Sequence, residues 1–165
     1  MLQQIKTWVA EHVRSSLESM FRVAVVSSTD PSRATVRVKV GDEDELISYD
    51  LRVVVRKAHK DFDYWMPDIG DQVLCVFLPF GLEQGFVLGS IYSKQDKVPV
   101  ESQDKWHVLF KDGTWLEYDR KEHAAIIDMT KPAGNLTIRT GSTEIIVQPD
   151  HVYIRSDKID LNDDR

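Results

Sequence analysis

The chain has 165 residues, with 21 Lys plus Arg against 27 Asp plus Glu, a formal charge of −6, and 42% hydrophobic residues. An acidic balance argues against a generic nucleic-acid binder, which needs basic surface to displace counterions, and it gives no attraction to anionic membranes. The one cysteine, Cys75, excludes an intrachain disulfide, and within the apolar run VLCVFL it reads as a small core hydrophobe. No stretch approaches the roughly 18 uninterrupted apolar residues of a spanning helix.

Residues 1–20 read as an amphipathic helix. Leu2, Ile5, Val9, Val13, Leu17 and Met20 recur every three or four residues, with Trp8 beside them. The stripe either packs on its own domain or docks on another subunit. The segment lacks the apolar centre of a secretory signal. The chain is therefore expected to be made and kept in a cytoplasm unless a machine carries it out.

From Phe21 the period changes to two. Phe21, Val23 and Val25, then Val36, Val38 and Val40, then Ile47, Tyr49, Leu51, Val53 and Val55 alternate with other residues, as half-buried strands require. Two apolar runs follow, DQVLCVFLPF and QGFVLGSIYS. About five strands over residues 21–93 predict a small closed barrel, with an OB-like barrel leading. Residues 94–105 are polar, aperiodic and interrupted by proline, and read as a linker.

Residues 106–165 hold short apolar pairs separated by turn residues. The pairs begin at Val108, Leu116, Ile127, Leu136, Ile145, Val152 and Ile159, and the spacing tightens to seven residues towards the C-terminus. A strand with two inward side chains builds no core alone. Single-chain solenoids need roughly 20 residues or more per coil. Seven residues can instead supply one side of a prism whose other sides come from identical chains. The expected fold is mostly β, with an N-terminal helix, an OB-like barrel and a C-terminal triple-stranded intertwined β-helix formed by a homotrimer. Its shared core would hold Ile127, Met129, Leu136, Ile138, Ile145, Val147, Val152, Ile154, Ile159 and Leu161. Each strand would pair with neighbours from other chains, with Glu144, Gln148 and Arg155 outward. A sandwich or meander folded within one chain is the competing reading.

This order of segments resembles phage baseplate assembly protein V, the central-spike family of contractile tails and tail-like bacteriocins. The spikes of type VI secretion are more distant relatives. The local match is a Pro-x-x-Gly-Asp-x-Val turn (Pro67, Gly70, Asp71, Val73) followed by Gly-x-Val-x-Gly (Gly85, Val87, Gly89). The resemblance implies a structural needle at the centre of a virion baseplate, assembled in the host cytoplasm, that punctures a target outer membrane. It implies hub and tail-tube proteins as partners. It also implies a tip at Leu161, Asn162, Asp163, Asp164 and Arg165, capped by a conical protein with proline-alanine-alanine-arginine repeats. The His-x-His that holds an apical iron in several members is absent, the last histidine being His151, so no cofactor is expected.

No nucleophile elbow, zinc-protease motif, phosphate loop or Cys-x-x-Cys occurs. His12, His59, His107, His123 and His151 lack ligand spacing. The acidic run Asp42–Glu45 reads as a solvated hairpin tip rather than a calcium loop. RKAHKDFDYW, Arg56 to Trp65, mixes basic and aromatic residues as single-strand binders do, but aspartates interrupt it, and Trp65 is expected to cover the barrel end. No nucleic acid is expected as a partner. Two rival classes remain: a trimeric polysaccharide-degrading tail enzyme using Asp112, Glu117, Asp119 or Asp128, and an OB-type binding module.

Overall fold

The computed structural model describes residues 2–41, 46–78, 83–131 and 133–159, and gives no side-chain position for Ser16. The run Asp42–Glu45 and the expected tip at Leu161–Arg165 lie outside the described residues. The chain divides into two compact units, residues 1–96 and 97–165.

The first unit opens with helix α1 (Leu2–Met20), which passes directly into strand β1 (Phe21–Asp30). Of the helix's described side chains, all but Met20 are exposed. The strands that follow are β2 (Thr35–Val40), β3 (Leu46–Ile47), β4 (Leu51–Val53), β5 (Ala58–His59), β6 (Asp61–Phe62), β7 (Gln72–Phe77) and β8 (Gly85–Ser90). Five of them close a barrel in the order β1-β2-β4-β8-β7-β1, with β4 and β8 parallel and the other pairs antiparallel. That topology is an OB fold.

Closure depends on the length of β1. Its first half pairs with β7 (Phe21↔Val76 to Val25↔Gln72), and its second half pairs with β2 up to Asp30↔Thr35. A bulge at Ser27 lets the strand bend between these two partners, and the Ser27 hydroxyl donates to the Arg37 carbonyl at 3.0 Å. The core is Ala24, Val26, Val36, Val38, Val40, Leu51, Val73, Cys75, Phe77 and Val87, with Val53 and Met66 against it. Each fully buried Val, Leu or Phe contributes about 1.5–3 kcal/mol.

Three expectations change here. In β1 the buried residues are Ala24 and Val26, so Phe21, Val23 and Val25 face outward. Trp65 does not cover the barrel end; it is 60% exposed, and its neighbour Met66 packs on the core. The expected continuous strand from Ile47 to Val55 is also broken. The buried Ser48 hydroxyl accepts from the Val38 amide at 3.0 Å and donates to the Tyr49 carbonyl, interrupting the ladder between β3 and β4.

The second unit holds two three-stranded antiparallel meanders. One is β9 (Lys105–Leu109), β10 (Trp115–Asp119) and β11 (Ala124–Asp128); the other is β12 (Leu136–Thr140), β13 (Thr143–Val147) and β14 (Val152–Arg155). Each strand pairs with its sequence neighbours. This differs from the expected pairing between chains, because connections of two to five residues close hairpins locally. Met129 falls in the loop after β11, and Ile159 lies past β14, outside the sheet.

Candidate functional site

The motif residues of the barrel form one joint. Asp68 to Asp71 make a four-residue turn closed by the Asp71 amide on the Asp68 carbonyl at 3.1 Å. Gly70 is its third residue at φ +98°, a conformation that strains an L side chain. The Gly70 amide donates to the Val26 carbonyl and the Val26 amide to the Asp71 carbonyl, both at 2.9 Å, which ties the turn to β1. The Asp71 carboxylate accepts from the Asp68 amide at 3.0 Å and from the Ser90 hydroxyl at 3.4 Å. Pro67 is buried, as are Val73 and Val87. A Cβ on Gly85 would lie 2.5 Å from the Val76 carbonyl oxygen, whereas one on Gly89 would meet nothing within 4 Å. The joint locks β1, β7 and β8 together. Cys75 is buried beside it, and burial pushes its thiol up to about 11, so it is no nucleophile.

In the second unit the registers sort side chains onto opposite faces. In the β12–β14 meander, Leu136, Val147 and Val152 form one cross-strand row, and Ile138, Ile145 and Ile154 form the next. Five of these six side chains are exposed, at 36–59%, and Leu136 is half-buried. In the β9–β11 meander, Val108, Leu116 and Ile127 share a row beside Trp106, Tyr118 and Ala125. A cleft of about 300 Å³ lies between Ile127 and Met129 on one side and Leu136, Val147 and Pro149 on the other. Of the side chains expected at a shared core, Ile127, Ile138, Ile145, Val147, Val152, Ile154 and Ile159 are exposed, while Met129 and Leu136 are half-buried.

The opposite faces are polar and built alike, with a glutamate on each central strand. On β13 the buried Glu144 accepts from Arg139 at 2.8 Å and from Arg155 at 2.9 Å. On β10, Glu117 accepts from Lys105 at 2.6 Å and meets the His107 ring at 3.0 Å, with His107 stacked on Trp115. The Lys105 ammonium, and after it His107, holds the Glu117 carboxyl below its ordinary range. Ile146 lies half-buried on this face in the next row, between Thr137 and Tyr153.

The four carboxylates considered for catalysis are occupied in this way. Asp112 caps the Thr114 amide; Asp119 accepts from the Glu122 and Lys121 amides, and Asp128 from the Thr130 amide. Those amides lower the Asp119 and Asp128 carboxyls. A glycosidase acid needs its pKa raised, whereas the Glu117, Asp119 and Asp128 carboxyls are lowered. The histidines are dispersed: the His12 ring lies tilted against Trp8, His151 contacts Asp150 and Tyr153, His59 ends β5 and His123 sits in a turn. Among the described residues no group of three His, Cys, Asp or Glu side chains could hold a metal. In the Arg56–Trp65 segment, Arg56 is paired with Asp63 at 2.6 Å and Lys57 with Asp61 at 3.5 Å.

Residues 22–92 match the family described as the type VI secretion system/phage-baseplate injector OB domain, a span that coincides with the closed barrel and its joint. The barrel is thus similar to the injector OB domain of that family. The spike protein of Escherichia phage P2 is 28% identical over 123 residues, 74% of this chain and 57% of that relative. The chain thus spans little more than half of that spike's length.

The signal that sequence reasoning missed is the bare wall of the barrel. Phe21 and Val23 on β1 stand beside Val76 and Leu74 on β7, and Val76 beside Phe86 on β8, with Val25 and Leu88 exposed at the margins. The sequence carried this signal as apolar residues on both phases of β1 and β7.

Proposed function

We propose that this chain is the homotrimeric central spike of a contractile tail or tail-like particle. It sits at the baseplate centre and pierces the target outer membrane on sheath contraction. The observation that carries this reading is the uncovered apolar face of the β12–β14 meander, a single layer with Leu136, Ile138, Ile145, Val147, Val152 and Ile154 all on one side. One layer cannot shield its own apolar face. Three copies facing a common axis cover one another, and the polar faces, each with a clamped glutamate, remain towards solvent. Met129, Ile159 and Leu161 would extend that core, and residues 161–165 would form the tip that meets a conical cap or the membrane.

On this reading residues 21–93 form a collar towards the hub and tail tube, residues 94–105 connect it to the stalk of 106–165, and the work is mechanical. Contraction loads the stalk, and a shared core resists it because one chain cannot be peeled away without uncovering the others. No cofactor is needed. Assembly takes place in the host cytoplasm, before the particle is released.

Light scattering with size-exclusion chromatography on the full chain is expected to give a trimer. Ile154→Asp brings three carboxylates into one apolar core, where each costs several kcal/mol unless paired. It is expected to leave monomers whose barrel remains folded. A monomeric parent chain, or an Ile154→Asp trimer of unchanged thermal stability, overturns the shared core. Particles built with a parent spike should admit a periplasmic dye on contraction, and particles lacking the spike should not.

A further inference from the structure

We propose that helix α1 of one copy docks on the outer barrel wall of the next copy, across β1, β7 and β8; this rests on the trimeric reading above. The wall is an unbroken apolar row, since Phe21 pairs with Val76 and Val76 with Phe86, and Val23 and Leu74 stand behind it. Phe21, Val23 and Phe86 are 40–55% exposed. No outward position from Phe21 to Val25, at Leu74 and Val76, or from Phe86 to Leu88 carries a charge. The stripe of α1 from Leu2 to Leu17 is equally bare, at 45–77% exposure.

Within the chain α1 approaches β1 and β7, yet its stripe from Leu2 to Leu17 stays exposed. Met20 ends the helix and Phe21 begins β1, with no residue between them. Turning an element back onto its neighbour takes a connection of about two to six residues. Each copy therefore offers one stripe and one wall, and three copies in a ring satisfy all of them with none left over. A foreign partner would have to supply a cover for both. The dimensions agree: a helix of 19 residues is about 28 Å long, and strands of six residues run about 20 Å.

The spacing of the stripe favours a wall over a bundle of three helices. Leu2, Ile5, Val9, Val13, Leu17 and Met20 together follow the straight-helix period of 3.6. A coiled coil asks for 3.5, and continuing Leu2, Ile5 and Val9 in that pattern places His12, Ser16 and Ser19 in the seam.

Cysteine cross-linking on the full chain tests the proposal, because native Cys75 is buried and does not interfere. Leu88→Cys is combined in turn with Ile5→Cys, Val9→Cys and Val13→Cys under mild oxidation. At least one pair is expected to yield a covalent trimer on a denaturing, non-reducing gel, with every single variant remaining monomeric there. A helix variant that cross-links alone shows helices facing one another, and Leu88→Cys cross-linking alone shows wall on wall; either overturns the proposal. So do double variants that are all trimeric by light scattering yet unlinked. A parent chain that is monomeric by light scattering removes the trimeric reading itself, a separate failure.

Discussion

Gly70 and Gly85 are fixed by different causes, and substitution separates them. At Gly70 the cost of alanine is conformational, because φ is +98° with open space around the absent Cβ. Forcing an L residue there costs about 1–2 kcal/mol. At Gly85 the cost is steric: the Cβ would sit 2.5 Å from the Val76 carbonyl oxygen, a backbone atom that moves only with its strand. Overpacking of that kind costs about 1–3 kcal/mol. Gly89→Ala meets neither obstacle and is expected to stay within about 0.5 kcal/mol of the parent. Urea denaturation of the three full-length variants checks the order, and a Gly89→Ala loss as large as that of Gly85→Ala would refute the steric account.

At the scale of the elements, the two meanders use the same device, a glutamate on the central strand that draws cations from its neighbours. For Glu117 the sign of the pH effect follows from its lowered carboxyl. The Lys105 hydrogen bond favours the ionised form, so the stabilisation is complete above the ordinary value of 4.5 and fades as pH falls below it. Asp119 and Asp128 shift the same way through turn amides and add to the acid-side loss. Melting temperature should thus be level from neutral pH down to about 5 and drop below 4.5, with a smaller drop in Glu117→Gln. An identical acid limb in that variant would mean that Glu117 contributes nothing. Glu144→Gln leaves two largely solvated arginines behind, so its expected cost is only about 1 kcal/mol, read from thermal melts at neutral pH.

The same elements show what the sequence made legible. Period two identified the barrel strands wherever one face was polar, as in Val36, Val38 and Val40, which the structure buries. It failed in β1, where Ala24 and Val26 compete with Phe21, Val23 and Val25; alternation cannot choose the inner face when both phases are apolar. The Pro67–Val73 turn was legible only through the family resemblance; the local demands that its glycine and aspartate meet emerge from the structure. The pairing of β1 with β2 and the parallel pairing of β4 with β8 depend on closure over long range, which local pattern does not encode. In the second unit the spacing of the apolar pairs was visible, and in the single chain short turns pair each strand with its sequence neighbour.

For the whole molecule, each unit by itself ends with apolar surface that its own strands do not cover: the wall and helix stripe in one, the meander faces in the other. Monomers seldom expose contiguous apolar patches beyond about 300–600 Å², so covering these surfaces is the main free energy available to an assembly of copies. Two consequences follow. Association stabilises the folded state by mass action, so melting temperature should rise with chain concentration, most clearly near the dissociation constant. The force is hydrophobic rather than ionic, so sulfate should raise the melting temperature, while moderate sodium chloride should change it little. Differential scanning calorimetry over about a hundredfold range of concentration reads the first effect, and salt titration at fixed concentration reads the second. A melting temperature independent of concentration, in a chain that light scattering finds monomeric throughout, would leave these faces without a self-partner. A fall with sodium chloride comparable in size to the rise with sulfate would instead assign the association to the charged polar faces around Glu117 and Glu144.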